Sequence, residues 1–250
     1  MRTMNMDMPL VCVFIVLGGL LTGCAVTSVN YYDIELIEVE RPKDVEERYG
    51  ESEIITLEDK SGETKYGFED EFVKIFWIPT YRQFDFLMTN KTNHSMKIVW
   101  DDSTFVYVDN VNHKLVHSGM KYVDRYTSHP PSVIARGTTI TDFVFPADNI
   151  YYSEGWKEHP IFPITVFGKS ERDLRNEFVG KTVQVMLPLQ IGEVVNEYIF
   201  TFKINDLGYR PPKRREVKRM EVKQPRFGRF ITVAAVIVAT TVTLMVINPQ

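Results

Sequence analysis

From Asn30 to Asp206 the apolar residues recur mostly at every second position, the spacing that sets alternate side chains on one face of a strand. The clearest run is Arg82 to Asn90, in which Phe84, Phe86 and Met88 share a face. Further strands are predicted at Ile98 to Trp100, Phe105 to Asp109, Ile140 to Phe145, Val183 to Leu189 and Val194 to Ile204. In the last of these, Tyr198, Phe200, Phe202 and Ile204 alternate against Glu197, Ile199, Thr201 and Lys203. Turn-forming clusters separate the runs: Asn90-Lys91-Thr92-Asn93, Asp109-Asn110-Val111-Asn112, Arg136-Gly137 and Ile191-Gly192-Glu193. Short strands with regular turns predict a mainly β, antiparallel sandwich.

One segment breaks the two-residue period. In Ser170 to Gly180, Leu174 and Phe178 share a helical face, Ser170 can cap the first turn, Asp173 can answer it from the third position, and Gly180 can close the end. A single short helix between strands is expected there.

Two longer apolar runs bracket this body. Leu10 to Leu21, LVCVFIVLGGLL, has the length of a signal-peptide core and is short for a membrane span; Arg2 supplies a thin positive start. At the other end, Phe230 to Ile247 contains eighteen residues without a charge, close to the length that spans a bilayer. Its four threonines and many β-branched residues leave a buried strand pair or an interfacial helix as the alternative. The expected organisation is a signal peptide over 1–23, a tether and first strand over 24–52, a β-sandwich over 53–207, a basic linker over 208–229 and a transmembrane helix over 230–247.

Charge adds a second asymmetry. Nine Lys and Arg stand between Arg210 and Arg229 against Glu216 and Glu221, a local balance of +7, so a chain of net −4 leaves −11 for the remainder. That excess argues against general nucleic-acid binding by the body. The basic run (Lys213, Arg214, Arg215, Lys218, Arg219, Lys223, Arg226 and Arg229) suits anionic lipid headgroups, each cation contributing on the order of 1 kcal/mol near such a surface; a solvated linker is the alternative. The usual retention of positive residues on the cytoplasmic side conflicts with an exported body, and the leader, which initiates export, takes precedence. The cysteines are Cys12, inside the leader, and Cys24, so after processing Cys24 stands alone and no internal disulfide forms.

Candidate chemistry is sparse. His113 and His117, four residues apart, could bind zinc together with Asp109, although the context is a polar turn that suits surface imidazoles. Asp101 and Asp102, beside Trp100, could serve as paired carboxylates, or make turn hydrogen bonds. No nucleophile elbow, phosphate loop, zinc-protease motif or cofactor fingerprint occurs. The aromatics Tyr151, Tyr152 and Trp156 lie in a loop where one strand cannot bury all of them, and loops on rigid sandwiches often carry recognition.

Two resemblances refine these expectations. Leu21-Thr22-Gly23-Cys24 resembles the bacterial lipobox, which implies cleavage before Cys24 and acylation of that cysteine. Ala25 rather than Asp after the cysteine is similar to the pattern that permits outer-membrane delivery. The order Phe84 to Thr92, Val99-Trp100-Asp101, then Pro131 to Thr139 resembles a group of uncharacterised bacterial lipoproteins and, more distantly, immunoglobulin-like sandwiches of the LEA14/WHy type. The second resemblance covers about the central third of the chain and implies a fold without an active site. Together they lead to the expectation of a membrane-anchored, non-enzymatic binding or accessory module of the cell envelope, with membrane lipid and an envelope protein as partners and no cofactor. Its loops from Tyr122 to Pro131 and Tyr151 to Pro163 would face the partner. The competing class is a hydrolase using the carboxylates and histidines between Asp101 and His117.

Overall fold

In β6 (Phe84–Asn90) burial alternates residue by residue, and Phe84, Phe86 and Met88 are removed from solvent entirely. A computed structural model describes residues 26–41, 51–58 and 64–210, all within one compact unit that ends at Pro211. In chain order the other strands are β1 (Val26–Ser28), β2 (Tyr31–Glu40), β3 (Glu53–Glu58), β4 (Thr64–Glu69), β5 (Val73–Pro79), β7 (Met96–Ile98), β8 (Thr104–Val106) and β9 (Asn112–Val116). After these come β10 (Ser132–Ile134), β11 (Thr139–Pro146), β12 (Ile150–Tyr152), β13 (Trp156–Glu158), β14 (Thr165–Phe167), β15 (Thr182–Ile191) and β16 (Val194–Gly208). Every strand pairing among the described residues is antiparallel. Among the described residues the structure contains the expected mainly β, antiparallel class with one short α-helix.

Two runs of strands face each other. One is β3-β4-β5-β6-β11; the other is β2-β16-β15, whose free edge carries both β7 and β8. The last residues of β11 leave β6 and pair with β9, Phe145 opposite Val116, which joins the two runs. Aromatic rings fill the space between them: Trp77 of β5 meets Phe200 and Phe202 of β16 at 5.1 and 5.5 Å, and Phe84 meets Phe202 and Phe105 at 4.9 and 5.6 Å. Edge-to-face pairs of this kind are worth about 0.5–1.5 kcal/mol each beyond their buried area.

The strand expected at Ile98 to Trp100 ends two residues early, and Pro188 explains why. The Pro188 carbonyl accepts from the Val99 N–H at 3.0 Å, so the position where Pro188 lacks an N–H faces the same edge. The ladder is interrupted there, Trp100–Asp102 forms a 3-10 turn, and the chain resumes as β8 farther along β15. The strand expected from Phe105 likewise stops at Val106, where a turn closes with the Tyr107 N–H donating to the Val111 carbonyl and Asn110 at φ 63°.

Helix α1 (Glu171–Phe178) forms where expected. Ser170 and Asp173 make the reciprocal capping box, Leu174 and Phe178 are buried, and Gly180 adopts φ 83° beyond the end. Strand β2, within the stretch read as tether and first strand, pairs along β16 from Tyr31 opposite Gly208 to Glu40 opposite Ile199.

Candidate functional site

A long loop follows β9 and is stitched down before it can present anything. Asp101, on the 3-10 turn, accepts the His129 N–H at 2.9 Å and the Ser128 hydroxyl, and these bonds hold its carboxyl below the usual range. Lys114 donates to the Thr127 carbonyl at 2.5 Å. Trp100 donates from Nε1 to Ser132 Oγ at 2.8 Å, while its ring carries the His117 imidazole in a parallel stack at 4.0 Å. Behind the stack, buried Asp142 accepts the backbone N–H groups of Ser118 and Phe143 at 2.7 and 2.8 Å. A loop fixed at this many points loses little entropy when it meets a partner.

The hairpin of β12 and β13 stands against that loop. Its turn needs left-handed backbone at Glu154 and Gly155, with φ 54° and 132°. Trp156 packs edge-on against its cross-strand partner Tyr152 at 5.5 Å and against Tyr122 of the long loop at 6.4 Å. The Arg125 guanidinium lies between the Tyr126 ring at 4.7 Å and the Trp156 ring at 5.1 Å. Tyr122 donates to Glu158, and Tyr126 donates to Asp148 at 2.5 Å. His113 Nδ1 meets the other oxygen of Asp148 at 2.5 Å, and these contacts keep the Asp148 carboxyl below its ordinary range. Tyr151 turns away from this patch and stacks on His159 at 4.2 Å.

The two loops singled out in the sequence therefore meet, and Tyr126, Tyr152 and Trp156 remain exposed on the surface they share. The patch holds flat rings, the half-buried Arg125 guanidinium, which donates to the Tyr122 carbonyl at 3.0 Å, and carboxylates at its edge. The exposed ring faces are geometrically open to stacking.

The proposed zinc trio is not brought together. Asp109 accepts the N–H of Val111 at 3.0 Å within its own turn, His113 reaches Asp148, and His117 lies on Trp100. Among the described residues no group of three or more His, Cys, Asp or Glu is placed to hold a metal ion. Asp101 is occupied in fastening the loop, and Asp102 is exposed. Cys24, Leu21, Thr22, Gly23, the basic run from Lys213 to Arg229 and the apolar stretch 230–247 lie outside the described residues. Within the described residues no helix is long and apolar enough to cross a membrane.

Sequence reasoning missed Arg125 and Asp148, which organise the patch, and His129, whose ring packs edge-on to His117 at 6.0 Å. The available hint for Arg125 was its position between Tyr122 and Tyr126 in a segment with few strand formers. Apart from the patch, a concavity of about 350 Å³ lies among Tyr31, Asp33, Tyr66, Thr80 and Arg210. Burial, with Asp33 and Glu35 nearby, pushes the Tyr66 hydroxyl up to about 12, so it stays a hydrogen-bond donor at neutral pH.

No family model matches the chain, and neither the curated proteins nor the solved structures compared with it contain a match.

Proposed function

We propose that this chain is a membrane-anchored lipoprotein of the bacterial cell envelope that binds a protein partner rather than transforming a substrate. The observation that carries the binding role is the meeting of Tyr122, Arg125, Tyr126, Tyr152 and Trp156 on one exposed surface built from two pinned loops. Aromatic residues and arginine are the side chains that dominate binding energy in protein interfaces. The anchoring role is supported by the sequence, through the apolar run Leu10 to Leu21 ending in Leu21-Thr22-Gly23-Cys24 and the basic and apolar stretches from Lys213 to Ile247. Acylation at Cys24 would hold the protein firmly, since each buried methylene contributes about 0.8 kcal/mol. The finer fold assignment, an immunoglobulin-like sandwich of the lipoprotein type named above, is supported by two antiparallel strand runs packed across an aromatic core.

The test is photo-crosslinking in intact cells followed by capture from solubilised membranes. A recurrent envelope protein should be captured with the wild type and lost with Tyr152→Ala/Trp156→Ala, whose unfolding temperature should fall by no more than about 2–4 °C because both side chains are largely exposed. Capture that survives the double substitution, or repeated capture of nothing, would sink the proposal.

A further inference from the structure

The ladder of β1 and β14 is a two-stranded extension at the point where the body begins. Its outermost pair sets Val26 directly opposite Phe167, and both side chains stand in solvent, 53% and 71% exposed. Directly opposed residues of an antiparallel pair share a face, so these two form one apolar prominence. Its position is fixed: Thr27 Oγ1 donates to the Lys169 carbonyl at 2.6 Å, and the Val29 N–H donates to the Ile164 carbonyl at 2.8 Å.

The other end of the body is fastened to the same place. Asn30 exchanges two hydrogen bonds with Arg210, its Nδ2 donating to the Arg210 carbonyl and its Oδ1 accepting the Arg210 N–H, both at 2.8 Å, and the Asn30 N–H donates to the Gly208 carbonyl at 3.1 Å. Tyr209 is 60% exposed there, and the Arg210 guanidinium lies over the Tyr31 ring. The described body is therefore entered and left at one pole, where Val26, Phe167 and Tyr209 are all exposed.

We infer that this pole is a membrane-seating surface, with Val26 and Phe167 entering the headgroup and acyl boundary of a phospholipid bilayer and Tyr209 and Arg210 lying at the level of the headgroups. The inference rests on the proposed acylation of Cys24. Only Ala25 stands between Cys24 and Val26, and an extended chain covers at most about 3.5 Å per residue, so an acylated Cys24 brings the bilayer within reach of the pair. On the exit side Lys213, Arg214 and Arg215 begin three residues after Arg210, and their charge complements an anionic lipid surface. Phenylalanine, tyrosine and arginine are side chains that interfacial anchors use. A seated pole fixes the orientation of the body on the membrane, where a flexible attachment would leave it free to tumble.

The experiment reconstitutes the full-length protein, purified from membranes, into vesicles of phosphatidylcholine and phosphatidylglycerol with and without brominated acyl chains. Phe167→Trp reports from the pole, Val26→Trp is a second reporter should the first disturb the ladder, and Tyr152→Trp reports from the loop patch; the unsubstituted protein supplies the background. The inference predicts that brominated lipid removes emission from the reporters at 167 and 26 and leaves the reporter at 152 unchanged. Protein that carries acyl groups and stays with the vesicles, yet shows no lipid quenching at 167 or 26, overturns the seating and leaves the anchoring intact; a disulfide between copies through Phe167→Cys would identify a second copy as the occupant instead. Protein without acyl groups at Cys24 overturns both.

Discussion

The imidazole of His117 lies flat on the indole of Trp100, ring centroids 4.0 Å apart and planes within 5°. The stack ties the end of β9 to the turn between β7 and β8, and with the Trp100 bond to Ser132 it fixes both ends of the long loop. Trp100→Phe keeps a ring but loses the donor, and should cost about 1 kcal/mol. Trp100→Ala empties a fully buried site and should cost about 3–5 kcal/mol. Denaturant unfolding of the solubilised protein, followed by tyrosine and tryptophan fluorescence, measures both.

His129 should make stability fall on mild acidification. Burial, then Lys114 and His117, lower its pKa from the ordinary 6.5 despite opposing Asp101 and Asp124. The unfolded chain therefore binds a proton at a pH where the folded chain does not. Stability from this group is complete above about 6.5 and is lost as pH falls from there toward the folded value. Asp101 and Asp148, lowered from 3.8, add their own loss only below that value. Unfolding temperature measured against pH should decline below about 6.5, and His129→Gln should flatten that part of the curve. An unchanged curve for His129→Gln would exclude this role.

Asn90 holds three segments together from a fully buried position. Its Nδ2 donates to the carbonyls of His94 and Ile134 at 2.7 and 3.0 Å, and its Oδ1 accepts from the Thr92 N–H and hydroxyl at 2.9 and 2.7 Å. Asn90→Asp turns a donor into a charge facing carbonyl oxygens and should cost on the order of 3 kcal/mol or more. Thr92→Val, which removes the hydroxyl that donates to Asn90 Oδ1 and accepts the His94 N–H, should cost about 1–2 kcal/mol. Equal losses for the two in chemical denaturation would contradict this assignment.

Gly67 is required by its neighbour across the ladder. A Cβ there would stand 2.8 Å from Phe76 Cε1, the ring of its directly opposed partner. Gly67→Val should cost about 1–3 kcal/mol through displacement of that ring. Adding Phe76→Ala should recover part of the loss, which a double-mutant cycle reads directly.

Strands with one buried face were legible in β6 and in β16 from Tyr198 to Ile204, whereas β5, in which Val73, Ile75 and Trp77 alternate in the same way, was not singled out. The helix was legible because Ser170, Asp173 and Gly180 punctuate it chemically. Strand ends were less so: what stops β7 is Pro188, ninety residues away in the chain, and no local pattern carries that information. The same reason hid half of the candidate site. Tyr152 and Trp156 announced themselves as aromatics in a loop, whereas Arg125 and Asp148 matter only because folding brings them against Trp156, Tyr126 and His113. The separation of His113 from His117 was equally a matter of tertiary partners, since their spacing alone fits a shared ligand.

The proposed function depends most directly on what happens at Cys24. Intact-protein mass spectrometry of the chain isolated from its native membrane, with fragmentation of the N-terminus, should find a polypeptide that starts at Cys24 and carries acyl groups on that residue, both abolished by Cys24→Ala. A chain that retains Met1 to Gly23, or starts at Cys24 with an unmodified thiol, would contradict it.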